Sequence, residues 1–210
     1  MRTHRAGTVR TARRYAIAKR TIDVTICVVA LPVLLPIGLL CALIIRLESP
    51  GAVLFAQQRT GQHGVRFPMF KFRTMVHNAE ELKSSLLHLN ILPLPDFKIP
   101  NDPRITRVGG FLRATSLDEL PQILNVFRGE MSIVGPRPTS FAASTYDLWH
   151  SERLEVVPGI TGLWQVKGRG TMTFDERLRL DIEYIERRSI ALDFKVMLMT
   201  VRAVVRGSGA

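Results

Sequence analysis

Cysteine is scarce in this 210-residue chain: only Cys27 and Cys41 occur, both inside an apolar stretch. On a helix they would stand about 21 Å apart at 1.5 Å per residue, which argues against a disulfide and for buried apolar thiols. The five histidines, at positions 4, 63, 77, 88 and 150, are scattered. With so few cysteines they form no cluster of zinc-ligand spacing. No G-x-x-x-x-G-K-[ST] stretch is present, which disfavours a nucleotide hydrolase with a phosphate-binding loop. The interleaved aromatic and basic residues of a single-strand nucleic-acid groove are missing too. There is no internal repeat and no low-complexity tract.

Acid is also in short supply. Eighteen Asp and Glu face 29 Lys and Arg, giving a formal net charge of +11. Such a charge favours an anionic partner: nucleic acid, an anionic bilayer or a phosphorylated substrate. Composition does not choose among them.

Charge of either sign is absent from "VTICVVALPVLLPIGLLCALII", residues 24–45. Its 22 residues are enough to cross a hydrocarbon core, which takes about 20. A cleaved signal peptide would have a shorter apolar region ending at small residues, whereas "IIRLESPG" follows here. The flanks set the topology problem. Residues 1–20 carry seven basic residues and no acid, and Arg46, Arg59, Arg66, Lys71 and Arg73 follow the segment with only Glu48 against them. Basic flanks mark the cytoplasmic side, so both ends ask to stay there, and a straight span cannot satisfy both. A segment bent at Pro32 and Pro36 can, because each proline removes a helix hydrogen bond. The alternative is a proline-kinked span, since such helices tolerate proline.

Further on, residues 53–75 read as two short strands around a turn holding Gly61 and Gly64, and residues 82–103, with four prolines, as an irregular connection. A helix is expected to start near Ser116, with Leu117, Leu120, Ile123, Leu124 and Phe127 on one face. "MSIVGPRP" reads as a short strand entering a rigid turn. Residues 174–188 form an amphipathic helix striped by Phe174, Leu178, Ile182 and Ile185. A final helix from Ala191 suits a core or a membrane surface.

"RATSLDELPQ" (113–122) sets Asp118 beside Glu119. Taken alone, Ser116 followed by Glu119 is a capping box opening a helix. The surroundings favour chemistry. Between Asp102 and Asp118 there is no other acid, while Arg104, Arg107 and Arg113 are present, and Arg128, Arg137, Lys167 and Arg169 follow. Guanidinium groups and helix N-termini hold phosphate, and a carboxylate among them can bind a divalent metal or attack phosphorus. Each arginine by itself is an ordinary surface residue; the case rests on their company with the acid pair and the Gly/Pro turns.

"KFRTM" (71–75), "DPRITRVGGFLRATSLDELPQILNVFRGEMSIVGPRP" (102–138) and "VPGITGLWQVKGRG" (157–170) together resemble the bacterial sugar transferases, the monotopic polyprenyl-phosphate phosphoglycosyl transferases. The resemblance runs from about Lys19 to about Val204, and its long central motif is the specific part. It implies transfer of a sugar 1-phosphate from a UDP-sugar to a polyprenyl (undecaprenyl) phosphate, with release of UMP, as the initiating step of bacterial surface glycan assembly. It implies that Asp118 is the nucleophile that takes up the phosphosugar, that Glu119 is its partner, and that both carboxylates sit with Mg2+. Lys71, Arg113, Arg137 and Arg169 are implied phosphate or nucleotide contacts. The family's re-entrant helix breaks at a Ser-Pro pair; here the pair is Leu31-Pro32, and Pro36 adds a second break.

The expected fold is therefore α+β and mostly helical. A basic arm (1–20) leads into a re-entrant membrane helix (21–47) broken near Pro32. A catalytic domain (48–210) follows, with interfacial amphipathic helices and a small β element on the cytoplasmic face of the bacterial inner membrane. Expected partners are a UDP-sugar, a polyprenyl phosphate and an anionic bilayer, with no nucleic acid; the oligomeric state, a homo-oligomer included, is open. The competing reading is a membrane-tethered binder of anionic lipid or nucleic acid, to which Asp118 would be dispensable. The sugar and the glycan pathway are not readable.

Overall fold

The computed structural model describes residues 6–91, 99–142, 150–168 and 172–205. Its longest element is helix α1 (Ala6–Glu48), with Pro32 and Pro36 inside it. The expected hinge does not end the helix: helical structure continues through both prolines. Its weak points are chemical, because neither proline can donate to the carbonyl four residues back, at Val28 or Pro32. By length and composition α1 is apolar enough to cross a membrane.

Both ends of α1 rest on the same domain. Near the N-terminal end, Lys19 pairs with Asp193 at 3.0 Å and Tyr15 donates to the same carboxylate at 2.9 Å. Asp23 accepts the Ser132 hydroxyl at 2.6 Å, and Cys27 packs with Phe67, Met69, Val126 and Met131. Near the C-terminal end, Cys41 and Ile45 pack with Phe72 and Leu112. Both cysteines are free and buried, in separate clusters. Between these anchors Val28, Val29, Val33, Leu35, Leu39 and Leu40 stay exposed, Val29 by 72%. A contiguous apolar patch of this kind does not persist against water without a partner.

Strands β1 (Leu54–Thr60) and β2 (Arg66–Phe72) form the expected antiparallel hairpin, with Leu54 opposite Phe72. The turn between them contains Gly64 at φ 79°, where the missing Cβ removes the steric cost. Helix α2 (Arg107–Ala114) is capped by Thr106, whose hydroxyl accepts from Gly109 N. It then meets a 3-10 turn, Leu117–Gln122, and helix α3 (Ile123–Arg128). Strand β3 (Ser132–Val134) pairs in parallel with β4 (Gly159–Thr161). Helices α4 (Leu163–Lys167), α5 (Phe174–Arg187) and α6 (Ile190–Val205) complete the chain. Val134, Leu163, Tyr184, Ile185 and Val196 join β3 and these three helices in a third cluster.

Two sequence expectations are corrected here. The helix placed at Ser116 begins only at Ile123. Ser116 is left-handed (φ 59°) and makes no side-chain cap, and Pro121 lies within the intervening 3-10 turn. Leu124 is consequently exposed, while Gln122 and Asn125 are buried. On α5 the buried positions are Leu178, Asp181, Tyr184 and Ile185, not Ile182. A true capping box does occur, at Thr173 and Glu176.

The Gly109-Gly110 pair of α2 separates two roles. A Cβ on Gly109 would lie 2.1 Å from the Thr74 carbonyl oxygen, so α2 packs on the chain after β2 only with glycine there. A Cβ on Gly110 would meet nothing closer than 4.0 Å. Gly109→Ala is expected to cost about 1–3 kcal/mol as overpacking, and Gly110→Ala to stabilise by about 0.5–1 kcal/mol as a helix former. Denaturant titration of the two variants in detergent checks the opposite signs.

Candidate active site

Four of the six expected site residues meet in direct contact, delivered by three different backbone devices. Lys71 comes from β2, Asp118 and Glu119 from the 3-10 turn, and Arg137 from the Gly135–Pro138 turn after β3. Proline on both sides restricts Arg137: Pro136 fixes its own φ, and Pro138 pushes the residue before it to extended backbone. Lys71 Nζ lies 2.8 Å from Glu119 Oε1 and 3.6 Å from Asp118 Oδ2. Arg137 Nη2 lies 2.6 Å from the same Glu119 oxygen.

The two carboxylates are thus unequal. Glu119 is gripped by two cations, and Arg137 and Lys71 together outweigh its burial and hold its carboxyl far below the usual carboxylate range. This grip explains why the capping box fails: two charge-assisted bonds outweigh one to a backbone N–H. Asp118 is 8% exposed, and among the described residues no hydrogen bond reaches its carboxylate. Burial raises the Asp118 carboxyl above its ordinary value, while Lys71 opposes and Glu119 adds to the rise. One carboxylate is fastened, the other is left available.

Arg113, in the last turn of α2, stands beside this group rather than inside it. Its Nε donates to Thr74 Oγ1 at 2.8 Å; burial lowers its pKa, and the nearby Asp118 charge opposes that. Lys71, Arg113 and Arg137 set three cations around two carboxylates, a surplus positive charge suited to a diphosphate. The turn is no α-helix N-terminus, so the positive potential comes from these side chains and not from a helix dipole. Arg169 lies outside the described residues.

Several supporting residues were not singled out from the sequence. The "KFRTM" segment divides its labour: Lys71 enters the site and Phe72 the core, Arg73 binds the Ser49 carbonyl at 2.7 Å beyond the end of α1, and Thr74 holds Arg113. Asn125 fastens α3 to β2, accepting from Phe70 N at 3.0 Å and donating to the Pro68 carbonyl at 2.7 Å. Arg20 of α1 donates to the Val126 and Phe127 carbonyls at the end of α3. No local pattern marks these long-range contacts. Asp181 did carry a signal, an acid placed between Leu178 and Ile185 on an apolar helix face.

Comparison with known proteins fits this geometry. The family described as bacterial sugar transferase matches residues 14–207. The galactosyl transferase CpsE of Streptococcus agalactiae serotype III is 42% identical over 93% of this chain and 44% of its own length. The undecaprenyl-phosphate galactose phosphotransferase of Salmonella typhimurium is 39% identical over 91% of this chain and 41% of its own length. The UDP-glucose:undecaprenyl-phosphate glucose-1-phosphate transferase of Caulobacter vibrioides is 41% identical, over 91% of this chain and 71% of its own length. The chain therefore spans less than half of the first two relatives and most of the third. With the carboxylate pair and its cations falling inside the matched region, the chain belongs to the bacterial sugar transferase family.

Proposed function

We propose that this protein moves a sugar 1-phosphate from a UDP-sugar to a polyprenyl phosphate, of undecaprenyl type, at the cytoplasmic face of a bacterial membrane, as the step that initiates surface glycan assembly. The observation that carries the reading is the inequality of the carboxylate pair, one held by two cations and one free to react. In the first half-reaction an Asp118 oxygen attacks the β-phosphorus of the donor. The bond from that phosphorus to the oxygen bridging to the α-phosphate breaks, and UMP departs. In the second, a phosphate oxygen of the polyprenyl phosphate attacks the same phosphorus and frees Asp118, leaving a polyprenyl diphosphate sugar. The covalent stage divides one crowded encounter of two anions into two steps. Lys71, Arg113 and Arg137 disperse the charge, and Glu119, locked in place, holds Lys71 and Arg137 beside the reacting phosphorus. Arg169, by its motif position, joins them.

Among the described residues there is no group of three or more His, Cys, Asp and Glu able to hold a metal. Mg2+ needs no such cage, because it commonly takes one or two carboxylates with substrate phosphate oxygens and waters. Asp118 and Glu119 fit that donor set together with the diphosphate. When bound there, Mg2+ would supply Lewis-acid stabilisation of phosphate charge.

For the membrane we read α1 as re-entrant. Its two ends rest on one domain, which favours entry and exit by the same face, and Pro32 and Pro36 provide the weak points between them. On α6, Phe194, Leu198 and Val201 form an exposed apolar stripe, with Lys195 and Arg202 also exposed, as on a helix lying in an anionic bilayer surface.

Four outcomes are expected. In detergent with undecaprenyl phosphate and Mg2+, the wild type releases UMP from at least one of a panel of UDP-sugars. Asp118→Asn loses at least about 10³-fold, the scale of removing an attacking group; undiminished release by this variant excludes Asp118 as nucleophile. Chelation by EDTA stops release and added Mg2+ restores it, whereas turnover that persists in EDTA refutes the metal assignment. In a background of Cys27→Ala and Cys41→Ala, single cysteines placed by Arg14→Cys and Leu47→Cys react with impermeant maleimide only in inverted vesicles. Labelling of one of them in intact cells would establish a span.

A further inference from the structure

Of the buried carboxylates that take no part in the proposed chemistry, one is linked to the site through an arginine. Asp181, on α5, is 1% exposed and lies 2.8 Å through Oδ2 from Nη2 of Arg153, itself 6% exposed. The same Nη2 donates to the backbone carbonyl of Arg137 at 2.6 Å. Arg137 in turn reaches Glu119 through its guanidinium. A continuous chain of contacts thus leads from the back of α5 to the carboxylate pair.

We propose that Asp181 and Arg153 are positioning residues for the transfer reaction, holding the Arg137 backbone so that its guanidinium stays aimed at Glu119. The turn that carries Arg137 is tied down at successive points. Gly135 N donates to the Thr161 carbonyl at 2.9 Å, Gly159 N to the Pro136 carbonyl at 2.9 Å, and Thr60 N to the Thr139 carbonyl at 2.9 Å. Those ties are backbone to backbone. Arg137, at the centre of the turn, is held by a side chain instead, and that side chain is a buried cation with Asp181 as its ion-pair partner.

Stability alone does not account for the pair. Burial pushes the Asp181 carboxyl up to about 7 even with Arg153 and Arg177 nearby. Replacing a buried ion pair with well-packed apolar residues is often neutral or stabilising. Leu178 and Ile185 flank Asp181 on the same face, so an apolar residue at 181 would continue the stripe. What a leucine would not do is keep Arg153 on the Arg137 carbonyl. A displacement of about 1 Å at a reacting group can cost about 100-fold.

The inference rests on the proposed function, and the test separates the two. UMP release is measured for the full-length wild type, Asp181→Asn, Arg137→Ala and the double variant. Absent wild-type turnover counts against the proposed function itself. With wild-type turnover, Asp181→Asn is expected to lower kcat by about 10- to 100-fold. The double variant is expected to match Arg137→Ala within about twofold, because both changes remove one arrangement. Losses that multiply, or wild-type activity in Asp181→Asn, overturn the proposal. Should Arg137→Ala turn over too slowly to compare, UDP affinity by calorimetry is read across the same four proteins with the same criteria. As a guard against simple misfolding, Asp181→Leu combined with Arg153→Met is expected to keep the wild-type thermal midpoint yet lose activity. Full activity in that stable variant would equally refute positioning.

Discussion

The contact of Glu119 with Lys71 and Arg137 is the constraint around which the site is organised. It joins three segments that share no local structure: a hairpin strand, a 3-10 turn and a proline-flanked turn. Placing one carboxylate oxygen between two cations reverses the usual penalty of burial for that residue. It also leaves Asp118, its immediate neighbour, 3.6 Å from Lys71 and, among the described residues, without a hydrogen bond to its carboxylate. The asymmetry follows from direction of approach, because adjacent residues on a tight turn cannot both face the same pair of cations. Side-by-side acids thereby acquire different surroundings.

How far this could be read beforehand varied with the range of the interactions. The β1–β2 hairpin, α5 and α6 were legible because alternation, periodicity and glycine turns are local properties. The 3-10 turn of the carboxylate pair was not, since Ser116 and Glu119 have the spacing of a capping box. The partners that decide the conformation lie 48 and 18 residues away from Glu119. Lys71, Asp118, Glu119 and Arg137 were found through their motifs, and the structure brings them within ion-pair reach. Arg153 and Asp181 left a fainter mark, an acid interrupting the apolar face of α5. Arg73 and Arg20 left none, because a basic residue that grips backbone carbonyls looks like any surface arginine.

The segment that carries the carboxylate pair is also braced by α1. Arg20 reaches the last carbonyls of α3, Cys27 packs on Val126, and Ile45 lies in the cluster with Leu112, against which Leu117 and Leu120 also pack. Helix α1 therefore supports the segments that flank the site as well as presenting an exposed apolar face. Among the described residues three hydrophobic clusters form, and two of them include residues of α1.

The spacing between those two clusters has a consequence for depth. Cys27 and Cys41 are fixed against the domain, and the exposed apolar run of Val28, Val29, Val33, Leu35, Leu39 and Leu40 lies between them. Were α1 to bend near Pro32 and Pro36, as the re-entrant reading has it, each arm of the loop so formed would be about seven residues, or about 10 Å. That is shorter than one leaflet of a hydrocarbon core about 30 Å thick. On the re-entrant reading the loop works as a draught mark. It sets how low the domain rides and keeps the carboxylate pair at headgroup level, where a lipid-borne phosphate arrives by lateral diffusion without leaving the bilayer.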